Sequence, residues 1–327
     1  MTALERSWYQ PYGWSWLLWP LSLLFALISG IRRLLFKTGV LKTTKLSVPV
    51  VVVGNISVGG TGKTPVTLWL CDYLRQQGWK PGIVSRGYGV TIKAPKLVDL
   101  QQDKPSTVGD EPYLLAGRSG CPVVVCPDRV AAARYLLSQT DCNIIVSDDG
   151  LQHYALYRDL EIVLLDGSRG LGNGLLLPAG PLREGAWRLK QADLVLSNSL
   201  PNHHTPFTFE LQPAQASALL DEQQKLLPGA KVTLVSGIGN PRRFTRSAAQ
   251  MGYHTDKAHF FPDHHAFSAA DLAGIKGPLL MTEKDAVKCR PFAKADWFYL
   301  PVSARIPQAA QELLAAKLTQ LWSRYGL

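Results

Sequence analysis

The chain contains a glycine-rich stretch that follows four consecutive valines and resembles a phosphate-binding loop. This stretch, GNISVGGTGKTPV, runs from Gly54 to Val66 and ends in the G-K-T of the phosphate-loop pattern. Ser57 stands where that pattern has its first glycine, but Gly59 and Gly60 give the backbone freedom to turn its N–H groups toward phosphate oxygens. We therefore predict a nucleotide-binding loop instead of a structural turn. It would consist of Ser57, Val58, Gly59, Gly60, Thr61, Gly62, Lys63 and Thr64.

The end of this loop and a nearby acidic pair have side chains suited to a triphosphate and its metal ion. Lys63 would reach the β and γ phosphates, and Thr64 would place its hydroxyl on Mg²⁺. The apolar run NIIVSDDGLQH ends in Asp148 and Asp149. A carboxylate at the end of a strand can hold Mg²⁺ directly or through water, although paired aspartates also occur in caps and turns. The sequence leaves open which of the two aspartates touches the metal.

Two other segments of the first half carry groups that could act on a substrate. In VGDEPYLL, Asp110 and Glu111 precede Pro112, so they either begin an ordinary helix or supply a carboxylate that accepts a proton from a substrate hydroxyl. Residues 166–185, DGSRGLGNGLLLPAGPLREG, are rich in glycine and proline. Long loops of this kind are often functional, and Arg169 and Arg183 would suit an anionic ligand.

The second half offers weaker signals. In FFPDHHAF, the adjacent His264 and His265 point in different directions and make a poor metal pair, so a surface loop is the default interpretation. In MTEKDAVK, Glu283, Lys284 and Asp285 follow an apolar run. They would form either a nucleotide-contacting corner or a solvated helix start.

Composition indicates a globular protein with an anionic partner. The 327 residues are 46% hydrophobic and carry a formal net charge of +10. This excess favours nucleic acid, anionic lipid or a phosphorylated substrate without choosing among them. Five cysteines without a C-x-x-C pair predict free thiols in a reducing compartment, not a disulfide framework or a zinc site.

The N-terminus carries a membrane signal. No charged residue occurs from Ser7 to Ile31, and WSWLLWPLSLLFALISGI combines tryptophans with a leucine-rich run. Early charges and the lack of an A-x-A site disfavour a cleaved signal peptide. The segment either spans the bilayer or lies in its interface, and a helix in the core of the soluble domain is the alternative. The basic residues that follow would face an anionic cytoplasmic leaflet: Arg32, Arg33, Lys37, Lys42 and Lys45.

These residues require a sheet that brings the ends of several strands together. From residue 48 to about 200, continuous apolar runs alternate with helical stretches, which predicts a doubly wound α/β domain with a mostly parallel sheet. The polar stretch at residues 198–206 suggests a linker or hinge, and a second, smaller α/β pattern follows. We expect a membrane-associated segment at 1–45, a phosphate-loop core at 46–204 and a smaller domain at 205–327, whose final helix could return to the core.

Seven motifs occur in an order that resembles one enzyme family over essentially the whole chain. They are GNISVGGTGKTPV, VSRGYG, GDEP, SDDGLQH, LPAGPLRE, DHH and MTEKDAVKC. The chain is similar to the tetraacyldisaccharide 4'-kinase family of the lipid A pathway in Gram-negative bacteria. The resemblance implies transfer of the γ-phosphate of ATP, with Mg²⁺, to the 4'-hydroxyl of a tetraacyldisaccharide 1-phosphate at the cytoplasmic face of the inner membrane.

The resemblance also assigns roles to residues. Asp110 matches the proposed base of the family, and His264 matches the histidine thought to assist it when the second domain closes. Asp148 and Asp149 match positions for Mg²⁺ and active-site organisation, with Gln152, Arg183 and Glu184 nearby. Lys63 and Asp149 are expected to contribute to catalysis. The absent first glycine is shared with the family.

Two other functions are compatible with a membrane-associated phosphate loop. The first is a membrane-associated phosphate-loop ATPase switch of the partition or metal-insertion type, in which a lysine would occupy the position of Val58. The second is a membrane-tethered adaptor that binds nucleotide without chemistry. The expected partners are the acylated substrate and the inner membrane surface, without nucleic acid or an obligate protein partner.

Overall fold

The structure, a computed structural model, describes residues 2–10 and 12–326. Strands β1 to β14 span Val50–Gly54, Pro81–Ser85, Lys96–Leu97, Val123–Val125, Ile144–Asp148, Leu160–Asp166, Leu194–Asn198, Thr208–Pro213, Ser217–Ala218, Lys231–Ser236, His254–Phe260, Leu279–Thr282, Trp297–Leu300 and Val302–Arg305. Helices α1 to α10 span Ala3–Ser7, Trp19–Lys37, Lys63–Gln76, Pro105–Val108, Asp110–Ser119, Arg129–Gln139, Pro241–Gln250, Ala269–Leu272, Glu283–Cys289 and Gln308–Tyr325. Short 3₁₀ helices occur at Trp14–Leu18, Ala186–Gln191 and Arg290–Phe292.

The first sheet has its phosphate-loop strand at the centre. Its nine strands lie in the order β14-β8-β7-β6-β1-β5-β2-β4-β3, and β1 pairs in parallel with β5 and β6. Val51 and Val53 belong to the core on one face of the sheet, whereas Val50 and Val52 belong to the core on the other. A strand buried on both faces reads as a continuous apolar run, which is why the sequence predicted this parallel α/β sheet correctly.

The second sheet is smaller and also mostly parallel. Its five strands lie in the order β11-β10-β12-β13-β9, and only the short β9 pairs in antiparallel fashion, with β13. It has its own apolar cores, which include Phe244 of α7 and Met281 of β12. The α/β fold class with a second, smaller unit is therefore confirmed.

The chain passes between the sheets at two adjacent points. Residues 198–206, the predicted linker, instead join β7 to β8 within the first sheet. The connections run through Ala214 and Pro301, and the Ala214 N–H donates to the Pro301 carbonyl at 2.9 Å. The first sheet thus continues past residue 204, and it also includes β14, which comes from the C-terminal part of the chain. The three-domain division itself stays a prediction.

The last helix returns to the first sheet. Leu314, Leu318 and Leu321 of α10 belong to the same core as the phosphate-loop strand. Trp322 meets Trp79 edge to face, with ring centroids 4.6 Å apart. The C-terminal helix therefore closes one face of the first sheet.

The N-terminal helix α2 lies on the outside of the protein. Trp14–Lys37 is long and apolar enough to cross a membrane by length and composition, and only 11% of its apolar window is buried. This exposure argues against a core helix. One side of α2 contacts the 166–185 loop, because the Ser22 hydroxyl donates to the Leu176 carbonyl at 2.8 Å and accepts from the Ala179 N–H at 3.0 Å. The five cysteines are free and buried, as predicted.

The packing of α10 yields a stability prediction. Trp79 is 3% exposed, so Trp79→Ala should lower the free energy of unfolding by about 3–5 kcal/mol through lost burial and a residual cavity. Trp14, which is 52% exposed, provides the control. Urea denaturation followed by circular dichroism measures both variants. Equal effects of Trp79→Ala and Trp14→Ala would contradict the packing described for α10.

Candidate active site

The phosphate loop depends on two glycines with left-handed backbone. Gly59 and Gly62 have φ angles of +115° and +96°, which glycine adopts freely. Ser57 is not among the described residues with positive φ, so a serine fits the first position of the loop without strain. The Asn198 amide donates to the Thr61 carbonyl at 2.9 Å and fixes the loop from the end of β7.

The 166–185 loop supports the phosphate loop from behind. The Val58 N–H donates to the Pro181 carbonyl at 2.8 Å, and the Arg183 N–H donates to the Ile56 carbonyl at 2.7 Å. These backbone bonds place the Arg183 side chain beside the phosphate loop. The glycine-rich composition of the 166–185 segment therefore reflects a folded support in contact with the site.

Asp149 links the phosphate-loop lysine to this supporting loop. Its carboxylate lies 3.7 Å from Lys63 Nζ and 3.2 Å from Arg183 Nη1. Burial would raise the pKa of Asp149, but the Lys63 and Arg183 cations outweigh burial and hold the pKa below its usual value. Asp149 is therefore ionised at neutral pH, and its φ of +47° turns it out of the strand toward Lys63.

Asp148 has a different environment, although it is the adjacent residue. It is 2% exposed, and it accepts long hydrogen bonds of 3.4 Å from the Thr67 and Ser85 hydroxyls. Burial, followed by the charges of Glu111 and Asp149, raises the pKa of Asp148 to about 7. The pKa values of the adjacent carboxylates are thus shifted in opposite directions, which the sequence could not indicate.

Gln152 and Glu184 lie together at the base of the phosphate loop. The Gln152 amide donates to the Asn55 carbonyl at 3.2 Å and to Glu184 Oε2 at 2.9 Å. Glu184 also accepts from the Tyr154 hydroxyl and lies 3.8 Å from the Arg188 guanidinium. The contacts of Glu184 hold Gln152 against the loop.

Asp110 begins α5 and faces His264, which lies in the loop after β11 of the second sheet. Its Oδ2 lies 3.3 Å from His264 Nδ1 and 3.9 Å from the ammonium groups of Lys284 and Lys288. Burial would raise the pKa of Asp110, but His264 and the two lysines lower it below the usual value. Asp110 is therefore an ionised carboxylate in a site that is mostly closed to water.

The contacts of His264 determine which of its nitrogens carries the proton. Lys284 Nζ lies 3.2 Å from His264 Nε2. The lysine carries its charge, because the carboxylates of Glu111, Asp110 and Asp263 outweigh burial and raise its pKa. An ammonium can only donate, so Nε2 accepts and the Nδ1–H of His264 points to Asp110. The histidine ring also contacts Tyr88, with ring centroids 4.7 Å apart.

The MTEKDAVK segment contributes more to the site than its sequence indicated. Lys284 bonds to Glu111 at 2.9 Å and sits among the acidic groups, so a solvated helix start is wrong for this lysine. Lys284 and Lys288 share one face of α9, and their i,i+4 spacing was the sequence signal for this pair.

Asp285 is buried and accepts from the Gly237 N–H at 2.9 Å, so its role is structural. His265 pairs with Asp271 at 3.4 Å and lies apart from Asp110.

One large cavity brings these groups together. Its volume is about 1670 Å³, and it runs from α2 past the phosphate loop to the second sheet. Every predicted site residue lines it except Ser57, the first residue of the loop, which is buried. Among the described residues, no group of three or more histidine, cysteine, aspartate or glutamate side chains is arranged to hold a metal ion. A cation here would need oxygen ligands from a bound phosphate or from water as well.

Comparison with known proteins gives a consistent result. The family model described as tetraacyldisaccharide-1-P 4'-kinase matches residues 14–319. A tetraacyldisaccharide 4'-kinase from Shewanella pealeana is 47% identical over 323 residues, which cover 97% of this chain and 98% of the relative. The protein of the same name from Methylobacillus flagellatus is 48% identical over 328 residues, which cover 98% of this chain and 97% of the relative.

A solved structure also resembles the whole chain. It is the "apo" form of LpxK from Aquifex aeolicus in complex with ATP, with a TM-score of 0.77 and 28% sequence identity. The match covers 93% of this chain and 99% of the other. The similarity therefore extends over both sheets.

The geometry of the phosphate loop yields a binding prediction. In Gly62→Ala the new Cβ would lie 2.8 Å from Asn198 Nδ2 in a backbone conformation with φ of +96°, so the loop must move. We expect the affinity for a nucleoside triphosphate to fall at least about tenfold, since the loop must hold its N–H groups in place. Gly117→Ala, whose Cβ meets only Leu100 at 3.9 Å, is the matched control. Isothermal titration calorimetry that finds equal affinities for the two variants would reject this account of the loop.

Proposed function

The chain belongs to the tetraacyldisaccharide-1-P 4'-kinase family, and on this premise we propose how its own residues bind the substrates and transfer the phosphoryl group. The protein is an ATP-dependent kinase that phosphorylates the 4'-hydroxyl of a tetraacyldisaccharide 1-phosphate, a lipid A precursor. The reaction forms a bond between the 4'-oxygen and the γ-phosphorus. It breaks the bond from that phosphorus to the β–γ bridging oxygen, and ADP leaves with the electron pair.

The contact between Asp110 and His264 is the observation that carries the proposed chemistry. Asp110 lies in a helix beside the first sheet, and His264 lies in a loop of the second. His264 Nδ1 is 3.3 Å from Asp110 Oδ2, and both side chains face the same cavity as the phosphate loop. We assign Asp110 as the base that accepts the proton of the 4'-hydroxyl. The Nδ1–H of His264 orients its carboxylate.

The environment of Asp110 supports this role in a specific way. Its carboxylate is ionised at neutral pH, as a base must be, and the nearby cations that lower its pKa would be partly offset once the anionic substrate is bound. The other carboxylate oxygen, Oδ1, accepts only the Glu111 N–H at 3.0 Å among the hydrogen bonds of the described residues. Lys284 and Lys288 offset the charge of Asp110 before the reaction, so the base does not repel the anionic substrate.

The phosphate loop would bind ATP and stabilise the charge of the moving phosphoryl group. Its N–H groups would surround the phosphates, and Lys63 would exchange Asp149 for the β and γ oxygens. Positioning and charge stabilisation carry most of the catalysis, because a loose transition state requires little covalent participation by the protein. Before ATP binds, Asp149, which also pairs with Arg183, would keep the Lys63 ammonium directed into the cavity.

The donor groups beside the loop fit Mg²⁺. The Thr64 hydroxyl and the carboxylates of Asp148 and Asp149 are oxygen ligands, which Mg²⁺ prefers, and Mg²⁺ usually needs only a few protein ligands beside phosphates and water. We propose that these residues hold Mg²⁺ together with phosphate and water oxygens. When bound, the ion would neutralise charge on the β and γ phosphates.

The alternative functions are not favoured. A phosphate-loop switch of the partition or metal-insertion type would need a lysine where this chain has Val58. The family match covers residues 14–319, which include the Asp110 and His264 motifs as well as the phosphate loop. A nucleotide-binding adaptor would leave that pair without a purpose.

A kinase assay tests the assignment and the base together. The wild-type protein should transfer ³²P from γ-labelled ATP to tetraacyldisaccharide 1-phosphate in mixed micelles. Asp110→Ala should lower kcat by about 10² to 10⁴, the range for loss of a general base, while ATP still binds. Asp256→Ala removes an exposed aspartate as the control. Labelled phosphate released without lipid product would reject the function, and normal turnover by Asp110→Ala would reject only the base.

We further propose that α2 lies along the membrane surface instead of crossing it. The helix touches the soluble part near both of its ends, through Ser22 and through Arg33, whose guanidinium lies 4.0 Å from the Trp187 ring centroid. The two residues are eleven positions apart along the helix, about 16 Å. A helix held to the protein along this length cannot be surrounded by lipid. Its exposed side, which includes Leu23, Leu27 and Ile31, would enter the interface.

Binding to vesicles tests this orientation. Leu27→Glu combined with Ile31→Glu should reduce cosedimentation with vesicles of phosphatidylethanolamine and phosphatidylglycerol at least about tenfold, because two charges would enter the apolar boundary. Leu220→Glu, at a leucine 61% exposed in the second sheet region, is the matched control. Alkaline carbonate should release the wild-type protein from native membranes. Retention after this wash would indicate a spanning helix.

A further inference from the structure

An arginine from the second sheet reaches the phosphate loop. Arg243 lies in the first turn of α7, and its Nη1 donates to the Gly60 carbonyl at 3.2 Å. Its Nη2 donates to Asp166 Oδ2 at 2.7 Å, at the end of β6. The guanidinium therefore bridges two elements of the first sheet from the opposite side of the cavity.

A second arginine makes a contact in the opposite direction, from the first sheet to the second. Arg169 of the 166–185 loop donates through Nη2 to the Gly239 carbonyl, just before α7, at 3.1 Å. A Cβ placed on Gly59 would lie 3.1 Å from Arg169 Nη1, and one placed on Gly239 would lie 3.9 Å from the Gly60 nitrogen. Segments from both sheets therefore approach the glycine pair 59–60, and Gly60 stays exposed toward the cavity.

Positive charge gathers near this pair. The Arg243 guanidinium pairs with Asp166, the charge of Arg169 acts on Arg243, and Lys63 belongs to the same loop. The side chain of Arg243 is 20% exposed and lines the cavity. A guanidinium has five N–H donors, of which the Gly60 carbonyl and Asp166 occupy two. Donors therefore remain for an anion held by the loop.

We propose that Arg243 is a catalytic residue of the kinase, supplied by the second sheet, which contacts the γ-phosphoryl group during its transfer. This inference rests on the proposed function. The N–H groups of the glycine pair lie where a phosphate loop surrounds the terminal phosphates. A guanidinium bonded to a carbonyl of that pair stands at the edge of the same site. The Arg243 guanidinium stabilises the negative charge that passes to the β–γ bridging oxygen as the bond to the γ-phosphorus breaks.

The residue type distinguishes this role from a simple contact between the two sheets. A planar guanidinium can bind two phosphate oxygens at once, which an ammonium cannot do. Arg242 is adjacent but exposed. It has the same charge and the same helical neighbours, so it is a matched control for the position of Arg243.

Steady-state kinetics with ATP and tetraacyldisaccharide 1-phosphate test the proposal. Arg243→Ala should lower kcat about 10³-fold, as for loss of an arginine that stabilises phosphoryl transfer, while the KM for ATP changes less than about fivefold. Arg243→Lys should recover less than about a tenth of the lost rate, because lysine lacks the planar fork. Guanidinium added to Arg243→Ala should restore part of kcat. Arg242→Ala should behave as the wild type.

A second variant separates catalysis from a structural latch. Asp166→Asn removes the charge that holds Arg243 but leaves the guanidinium, so kcat should fall less than about tenfold. If Asp166→Asn reproduces Arg243→Ala, or if the loss appears only in KM, Arg243 is a latch and the proposal is wrong. Full activity of Arg243→Lys would also overturn it. An inactive wild-type protein would instead reject the proposed function, and thermal melting identifies any variant that fails to fold.

Discussion

Charge compensation across the cavity between the two sheets is the interaction on which this site depends. Lys284 and Lys288 of the second sheet face Asp110 of the first, and Arg118 of the first sheet pairs with Glu283 of the second. Each sheet thus carries charges that pair with charges of the other, and Lys288 pairs in addition with Asp285 of its own helix. The Lys288 and Asp110 side chains are only 10% and 9% exposed, so separating them would leave buried charges without their partners, which costs free energy. The same pairs that hold the sheets together therefore complete the surroundings of the base.

The position of the site follows from the parallel sheet. The strands β1, β5 and β6 are neighbours and run in the same direction, so their carboxyl ends meet at one edge. The phosphate loop follows β1, Asp148 ends β5, and Asp166 ends β6. This edge alone supplies the loop, the carboxylates proposed to bind metal and the partner of Arg243. The proposed base and its histidine must come from elements packed against that edge.

The sequence predicted the parts that local patterns specify. The valine run, the glycine spacing and Asp148 with Asp149 indicated a strand, a phosphate loop and acidic groups, because burial on both faces and backbone freedom leave marks in a few consecutive residues. The sequence could not show that Lys284 neutralises Asp110, since this contact joins residues far apart in the chain. It also suggested a linker at 198–206, because a polar loop with two prolines looks the same whether it joins strands or domains. The return of α10 to the first sheet depended on packing that no local motif specifies.

The 166–185 loop connects the chemistry to the proposed membrane surface. Its middle holds α2 through Ser22, and it also binds Trp8, the residue after α1, whose ring N–H donates to the Pro178 carbonyl at 2.9 Å. Near its C-terminal end, Arg183 pairs with Asp149 beside Lys63. The distance between the helix and the phosphate loop is therefore fixed by a folded segment and does not depend on a flexible tether. With α2 in the interface, a lipid-borne hydroxyl could reach the base while its acyl chains stay in the membrane. This explains why one cavity extends from α2 to the second sheet.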